Sequence, residues 1–451
     1  MASVVTIETP ELGDRSYLIS DGRAAVVVDP QRDIDRVLAT AEEAGVRVAL
    51  VAETHLHNDY VSGGRELAER TGAEHVIGGG EEVAFPCRPA VEGEAATVGL
   101  LTVRVLATPG HTTGHVSFVV EEDGRPVAVF TGGSLLYGTV GRTDLVSPER
   151  TDDLTRAQYH SAHRLASELP DGVTVHPTHG FGSFCSSTSA GQSTTSTIGS
   201  ERQTNLALKV EDEDTFVKTL VAGLTAYPRY YAHMGPINRS GPEPLDLSPP
   251  RPVDPAELRR RIDAGEWVVD LRQRRAFAAS HVAGTVSVEL GTLFSTYLGW
   301  TIPWGTPLTL VGDDRESVAK AQRDLSRIGI DRLAGMAIGP PDQLAQGKVG
   351  SFVVADFAQL AEVRGDGRRP VVLDVRQDDE WEAGHLSGAV HVPFQELPDR
   401  LGELPDDELW VHCASGFRAS IAASLLDRAG REVVLVDDDW ERAGQLGLPV
   451  E

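Results

Sequence analysis

Short apolar runs broken by polar, glycine-rich stretches dominate the first half of the chain. Ser16-Tyr17-Leu18-Ile19 and Ala24-Ala25-Val26-Val27-Val28-Asp29 read as paired strands. Ile34 to Ala44 has apolar residues at helical spacing, with Asp33 as its expected N-cap. Leu101-Thr102-Val103-Arg104-Val105 alternates with period two, as a half-buried strand does. Val116 to Val120, a polar turn at 121–125 and Pro126 to Phe130 predict a hairpin. Helices are predicted over Thr151 to Leu169, closed by Pro170, and over Asp212 to Leu224. Residues 181–200, rich in Ser, Thr and Gly, read as a long loop or an ordered insertion.

Ser240-Gly241-Pro242-Glu243-Pro244 and Ser248-Pro249-Pro250-Arg251-Pro252 have linker composition, and beyond them the pattern repeats. Val268-Val269-Asp270-Leu271-Arg272 matches Val372-Leu373-Asp374-Val375-Arg376. Ser280-His281-Val282-Ala283-Gly284 matches Gly384-His385-Leu386-Ser387-Gly388. Each copy continues into an apolar strand, a short turn and a helix. The domains are expected at 1–245, 246–350 and 351–451, an α/β and α+β multidomain chain. The aromatic segment 294–304 of the middle copy is expected to pack against a neighbouring domain or subunit.

Composition narrows the function classes. A formal net charge of -26 repels phosphate backbones and anionic lipids, so nucleic acid and membrane are not expected partners. The N-terminal segment lacks a signal-peptide pattern. Three cysteines, Cys87, Cys185 and Cys413, stand far apart, which argues for a reducing compartment and a cytoplasmic enzyme.

Candidate chemistry sits at strand ends. Thr54-His55-Leu56-His57-Asn58-Asp59-Tyr60 follows an apolar strand, and two His and an Asp at alternate positions can converge on zinc or iron. Thr108-Pro109-Gly110-His111, Thr131-Gly132-Gly133-Ser134 and His176-Pro177-Thr178-His179 follow later strands. His75, His160 and His163 have no motif context and are expected at the surface. In the last copy, Cys413-Ala414-Ser415-Gly416-Phe417-Arg418 joins a strand to a helix. Such a loop turns backbone N–H groups inward, and with the helix dipole it stabilises an anion, which makes Cys413 the best nucleophile. The middle copy has Gly312-Asp313-Asp314-Arg315-Glu316-Ser317 there, with no Cys and two carboxylates.

These motifs resemble two families. H-x-H-x-D, P-G-H-T, T-G and the late His stand in the order of the metallo-β-lactamase fold, an αββα sandwich. Gly-Arg-Thr-Asp at 141–144, Thr-Ile-Gly at 197–199 and Thr204-Asn205 are similar to its persulfide dioxygenase branch in versions fused to rhodanese domains. The Cys413 loop, with four residues between Cys and Arg, resembles the sulfur-transferring rhodaneses, and the middle copy a degenerate rhodanese. The resemblance implies His55, His57 and His111 as ligands of one metal, with Asp59 and His179 at the neighbouring position. The family's remaining His falls on Tyr60 and its bridging Asp on Gly133. It implies one Fe(II), with Zn as the alternative, and the third ligand is either His57 or Asp59. Cys413 and Arg418 are the implied catalytic pair, with Arg418 either contacting the donor's anionic end or bracing the loop through an ion pair, and Ala414, Ser415, Gly416 and Phe417 are the binding loop. Arg142 either lies near substrate or braces its loop; Cys185 either lines the pocket or is a small buried side chain. Expected partners are low-molecular-weight thiols and persulfides, sulfite, thiosulfate and O₂, in a homo-oligomer. The rival functions are a glyoxalase II-like thiolester hydrolase and a sulfurtransferase with an impaired metal domain.

Overall fold

Period-two burial on consecutive strands builds the N-terminal sandwich. In strand Ala24–Val28, Ala24, Val26 and Val28 join one apolar cluster while Ala25 and Val27 join another on the opposite face. In strand Val116–Glu122, Val116, Phe118 and Val120 point into the first cluster and Val119 into a third. Each buried Val or Phe among them contributes about 1.5–3 kcal/mol by leaving water. The structure, a computed structural model, describes residues 2–187, 194–347 and 349–451, so 188–193 of the expected loop at 181–200 lie outside the described residues.

The chain divides into two units, Met1–Asp246 with Ser326–Gly329, and Leu247–Leu325 with Ile330–Glu451. In the first, one six-stranded sheet runs Ser3–Thr9, Asp14–Ser20, Ala24–Val28, Arg47–Glu53, Glu74–Gly78 and Arg88–Ala90 in sequence order. The other runs Ser196–Thr197, Thr174–Pro177, Arg125–Gly132, Val116–Glu122, Leu101–Ala107 and Ala95–Val98. Their inner faces share the cluster containing Tyr17, Val26, Leu50, Val103, Phe118 and Phe130. Helix Asp35–Glu43 covers the outer face of the first sheet, and Thr151–Glu168 that of the second. The result is the expected αββα sandwich, and the expected hairpin is present with Val119 opposite Val129.

Two expectations fail locally. Asp33 does not cap its helix: the N-cap is Ile34 with no side-chain bond, and the Asp33 carboxylate takes the Arg36 guanidinium at 2.8 Å instead. His75 is not at the surface. It is buried and 2.7 Å from Glu53 through Nε2, because strand Glu74–Gly78 sits inside the sheet beside Arg47–Glu53.

The second unit holds two parallel sheets that share the order of four strands, the second sheet adding a fifth. The first is Val286–Ser287, Trp267–Asp270, Leu308–Gly312, Leu333–Ile338; the second is Val390–His391, Val371–Asp374, Leu409–His412, Val433–Val436, Val353–Ala355. The repeat seen in the sequence is thus a repeat of topology. The aromatic segment forms helix Phe294–Thr301, whose Tyr297 and Trp300 pack on Phe394 with ring centroids 5.3 and 5.6 Å apart. No described helix is long and apolar enough to cross a membrane.

Candidate metal centre and cysteine loop

Loops from both sheets meet at one edge of the sandwich. Strand Arg47–Glu53 delivers His55, His57 and Asp59. Leu101–Ala107 leads to His111, Thr174–Pro177 to His179, and Asp14 opens the antiparallel strand Asp14–Ser20 at the same edge. All six side chains are buried.

The polar scaffold beneath them fixes which ring nitrogen faces the centre. Asp29, at the end of its strand and with φ 50°, accepts from the Thr54 backbone N–H at 2.7 Å, from Thr54 Oγ1 at 2.8 Å and from Thr178 Oγ1. With its proton given to Asp29, Thr54 Oγ1 accepts from His55 Nδ1 at 2.8 Å, which turns the Nε2 lone pair towards His179 Nε2, 3.4 Å away. His111 Nδ1–H donates to the Arg142 carbonyl at 2.6 Å, and His179 Nδ1–H to Asp14 Oδ1 at 2.9 Å. His57 directs Nε2 to the Tyr60 hydroxyl at 2.9 Å and towards Asp29 at 3.4 Å, leaving Nδ1 unpaired. Each of the four imidazoles thus has one nitrogen held by a protein partner and the other turned towards the cluster, the usual preparation of histidine for a metal.

These atoms group differently from the expected sets. Ligand atoms of His55, His111 and His179 lie within 4.8 Å of one another, as do those of His57, Asp59 and His179. His179, expected only at the neighbouring position, belongs to both groups.

The residues fit a cation. His57 Nδ1, His111 Nε2, Asp14 Oδ2 and both oxygens of Asp59 are buried and make no hydrogen bond within the protein. Burial pushes His111 down to about 3 and His55 well below its ordinary value, so both are neutral donors near pH 7. Burial also opposes a charge on His179, but Asp59 and Asp14 outweigh it and raise His179 to about 10. Two buried carboxylates therefore draw positive charge to this spot.

The bridging carboxylate has no place to return. A Cβ on Gly133 would run into the His111 ring, and one on Gly132, at φ 51°, into Thr54 and His115. The Gly133 N–H instead donates to His115 Nε2 at 3.0 Å, which makes His115 part of the packing. Arg142 is 2 % exposed: its guanidinium holds Asp144 at 2.7 and 2.8 Å and donates to the Phe184 and Thr225 carbonyls. Of the two expected roles, its placement is that of a brace, because every guanidinium nitrogen is taken by protein. Cys185 is fully buried beside this arginine. Asp14, Asp29 and Asn238 had no sequence motif. Asn238 ties the motif loop by donating to the His57 and Tyr60 carbonyls, both at 2.8 Å, and by accepting from the Ser62 N–H at 2.8 Å. A cavity of about 430 Å³ opens over the loop, with Leu56, Asn58, Thr112, Tyr231, Glu81 and Arg239 on its wall.

In the second unit, Cys413 follows strand Leu409–His412 and precedes helix Phe417–Arg428, with Gly416 left-handed at φ 85°. A Cβ at Gly416 would meet the Asp437 carboxylate, so the tight loop requires glycine. The Arg418 guanidinium grips Glu380 through both terminal nitrogens, Nη2 at 2.7 Å. Asp374–Arg376 and its counterpart Asp270–Arg272 have the same geometry, with an Nη2–Oδ2 contact of 2.6 Å in both. Their Nη2 groups also donate to equivalent carbonyls, Ser280 at 2.9 Å and Gly384 at 2.8 Å. An ion pair kept in the copy without cysteine is architecture.

Comparison with known proteins agrees with this geometry. Residues 12–191 match the metallo-beta-lactamase superfamily, and residues 356–443 the rhodanese-like domain. The mitochondrial persulfide dioxygenase ETHE1 of Bos taurus is 30% identical over 46% of this chain and 75% of its own length. A hydroxyacylglutathione hydrolase of Rhodospirillum rubrum is 35% identical over 26% of this chain and 46% of its own. The crystal structure of a metallo-beta-lactamase from Staphylococcus aureus superposes with a TM-score of 0.68 at 28% identity, covering 75% of this chain and 99% of that one. The chain belongs to the metallo-beta-lactamase superfamily, among homologues of the ETHE1 persulfide dioxygenases, and carries a rhodanese-like domain at its C-terminal end.

Proposed function

We propose that the first unit oxidises a low-molecular-weight thiol persulfide to sulfite at one metal ion, and that Cys413 carries sulfane sulfur between thiols, sulfite and thiosulfate. The observation that carries the reading is the set of buried, unpaired donors around His179 with glycine where a bridging carboxylate would stand. A binuclear hydrolytic centre needs that carboxylate, whereas a three-histidine set with open positions suits one ion, Zn²⁺ as well as Fe(II), and the persulfide dioxygenase homology favours iron. Its ligands are His55, His111 and His179, with His57 and Asp59 beside them.

A bound iron would supply dioxygen activation and a soft contact for the persulfide sulfur. The chain's own contribution is positional. Asp14 orients His179, the Arg142 carbonyl orients His111, and Thr54 orients His55, so the three remaining ring nitrogens face one spot before any ion arrives. The cavity at Leu56, Asn58 and Thr112 admits the thiol, and Glu81 with Arg239 at its wall offers one group of each charge. In the rhodanese-like domain, the Cys413 sulfur attacks a sulfane sulfur and holds it as a persulfide. Covalent linkage of the two units keeps the product of one available to the other. The scarcity of cysteine fits work in a reducing cytoplasm.

The test is oxygen uptake and sulfite release with glutathione persulfide, alongside sulfur transfer from thiosulfate. Both activities are expected. Transfer without oxygen uptake would leave a sulfurtransferase with an impaired metal domain. The similarity to a hydroxyacylglutathione hydrolase and the second ligand group, His57, Asp59 and His179, favour the thiolester reading. Turnover of S-lactoylglutathione with two zinc ions bound would establish it in place of the dioxygenase.

A further inference from the structure

The copy without cysteine reaches the Cys413 loop of the other copy at two places. Its helix Phe294–Thr301 sets Tyr297 edge-on against Phe417, the residue before Arg418, with ring centroids 5.5 Å apart, and tilted against Phe394 at 5.3 Å. Its Arg274 binds Asp437 at 2.8 Å while also holding Glu289 at 2.9 Å, and Asp437 is the carboxylate that presses on Gly416. An anion cradle beside an uncompensated carboxylate would repel its ligand, so the Arg274 contact matters to the loop's field. The Tyr297 phenol lies within electrostatic reach of the Cys413 thiol and of the Arg418–Glu380 pair. Burial raises its pKa, so it stays a protonated donor. Arg418 is already bidentate on Glu380. Two of the Arg418 N–H groups are thus committed to Glu380, and beside the loop's backbone N–H groups Tyr297 is a phenol brought to that cluster by the other copy.

Resting on the reading of Cys413 as the sulfur carrier, we propose that Tyr297 is a substrate-positioning residue of the Cys413 site, its phenol donating a hydrogen bond to a sulfonate oxygen of thiosulfate or to an oxygen of sulfite. In the step concerned, the Cys413 sulfur anion bonds to the outer sulfur of thiosulfate. The S–S bond to the sulfonate breaks, and its electron pair leaves with sulfite. Cys413 is left as the persulfide anion. Charge and atoms balance, and no external oxidant or reductant enters. The reverse step regenerates thiosulfate from sulfite. The copy that lost its cysteine thus remains part of the working site.

The test uses the full chain with Tyr297→Phe, Tyr297→Ala and, as a control, Cys413→Ser. Tyr297→Phe is expected to raise KM for thiosulfate about tenfold, the scale of one hydrogen bond to an anion, with kcat little changed. Tyr297→Ala should match it in KM. A second readout is the rate of Cys413 alkylation, followed by peptide mass, with anionic iodoacetate against neutral iodoacetamide. Tyr297→Phe should lower the iodoacetate rate and leave the iodoacetamide rate alone. An unchanged KM and alkylation ratio in Tyr297→Phe overturns the proposal. So does a defect confined to Tyr297→Ala, which would make the ring a wall and the hydroxyl a bystander. If the wild-type chain transfers no sulfur, the reading of Cys413 fails, and the alkylation ratio still decides whether Tyr297 positions an anion.

Discussion

The two candidate sites are assembled in opposite ways. The metal centre gathers Asp14, His55, Asp59, His111 and His179 from loops spread over 166 residue positions, with His111 and His179 oriented by hydrogen bonds to remote segments and His55 by Thr54, itself tied to Asp29. The cysteine site is six consecutive residues between a strand and a helix, held by Gly416 and the Arg418–Glu380 pair. A dispersed site fails when any supporting partner moves. A local loop survives so long as its strand and helix do, and the middle copy, which has no cysteine at that place, keeps an Asp270–Arg272 pair of the same geometry.

That contrast predicts a double dissociation as the largest effect. Cys413→Ser should abolish sulfur transfer and leave oxygen uptake at the wild-type rate, while His111→Ala should remove metal and oxygen uptake and leave transfer. Loss of both activities in either variant would show that the sites are not independent. Gly133→Asp comes next. Restoring the bridging carboxylate should not create a second metal position; the new side chain displaces the His111 ring, and metal content should fall below the wild-type level. A gain to two ions per chain would contradict the packing argument. Asp14→Asn is a smaller lesion, because it removes only the partner that orients His179. Metal affinity should fall about 10- to 100-fold, read by competition with a chelator. The mildest effect is on metal-free protein. His111, with a folded pKa of about 3, should lower stability as pH falls from about 6.5 towards 3, since the unfolded chain then binds more protons. His179, raised to about 10, stabilises fully below about 6.5 and should lose that contribution as pH rises towards 10. Urea midpoints against pH should therefore fall on both sides of neutrality, and a flat profile would sink the assignment.

The same contrast explains what could be read from the sequence. The strand runs, the hairpin, the repeat and the Cys413 loop are local patterns, and their elements appear where the alternation puts them. His55, His57 and Asp59 stand out as ligand types at alternate positions after a strand, and His111 through the family resemblance. Asp14, Asp29 and Asn238 do not, because a lone polar residue at a strand end or on a helix carries no spacing signal until the fold brings it to its partner. His75 looked like a surface histidine for the same reason: its partner Glu53 lies on another strand. The capping role expected of Asp33 went to no side chain, since Arg36 offered its carboxylate a stronger contact than a backbone N–H. Gly133 was visible as a missing ligand, but its close approach to His111 was not.

The central claim is that this sandwich holds a single ion on His55, His111 and His179. Metal analysis of protein purified without oxygen tests it most directly. The account predicts one iron per chain, falling towards zero in His179→Ala; two zinc ions per chain, or full metal retention in that variant, would contradict it.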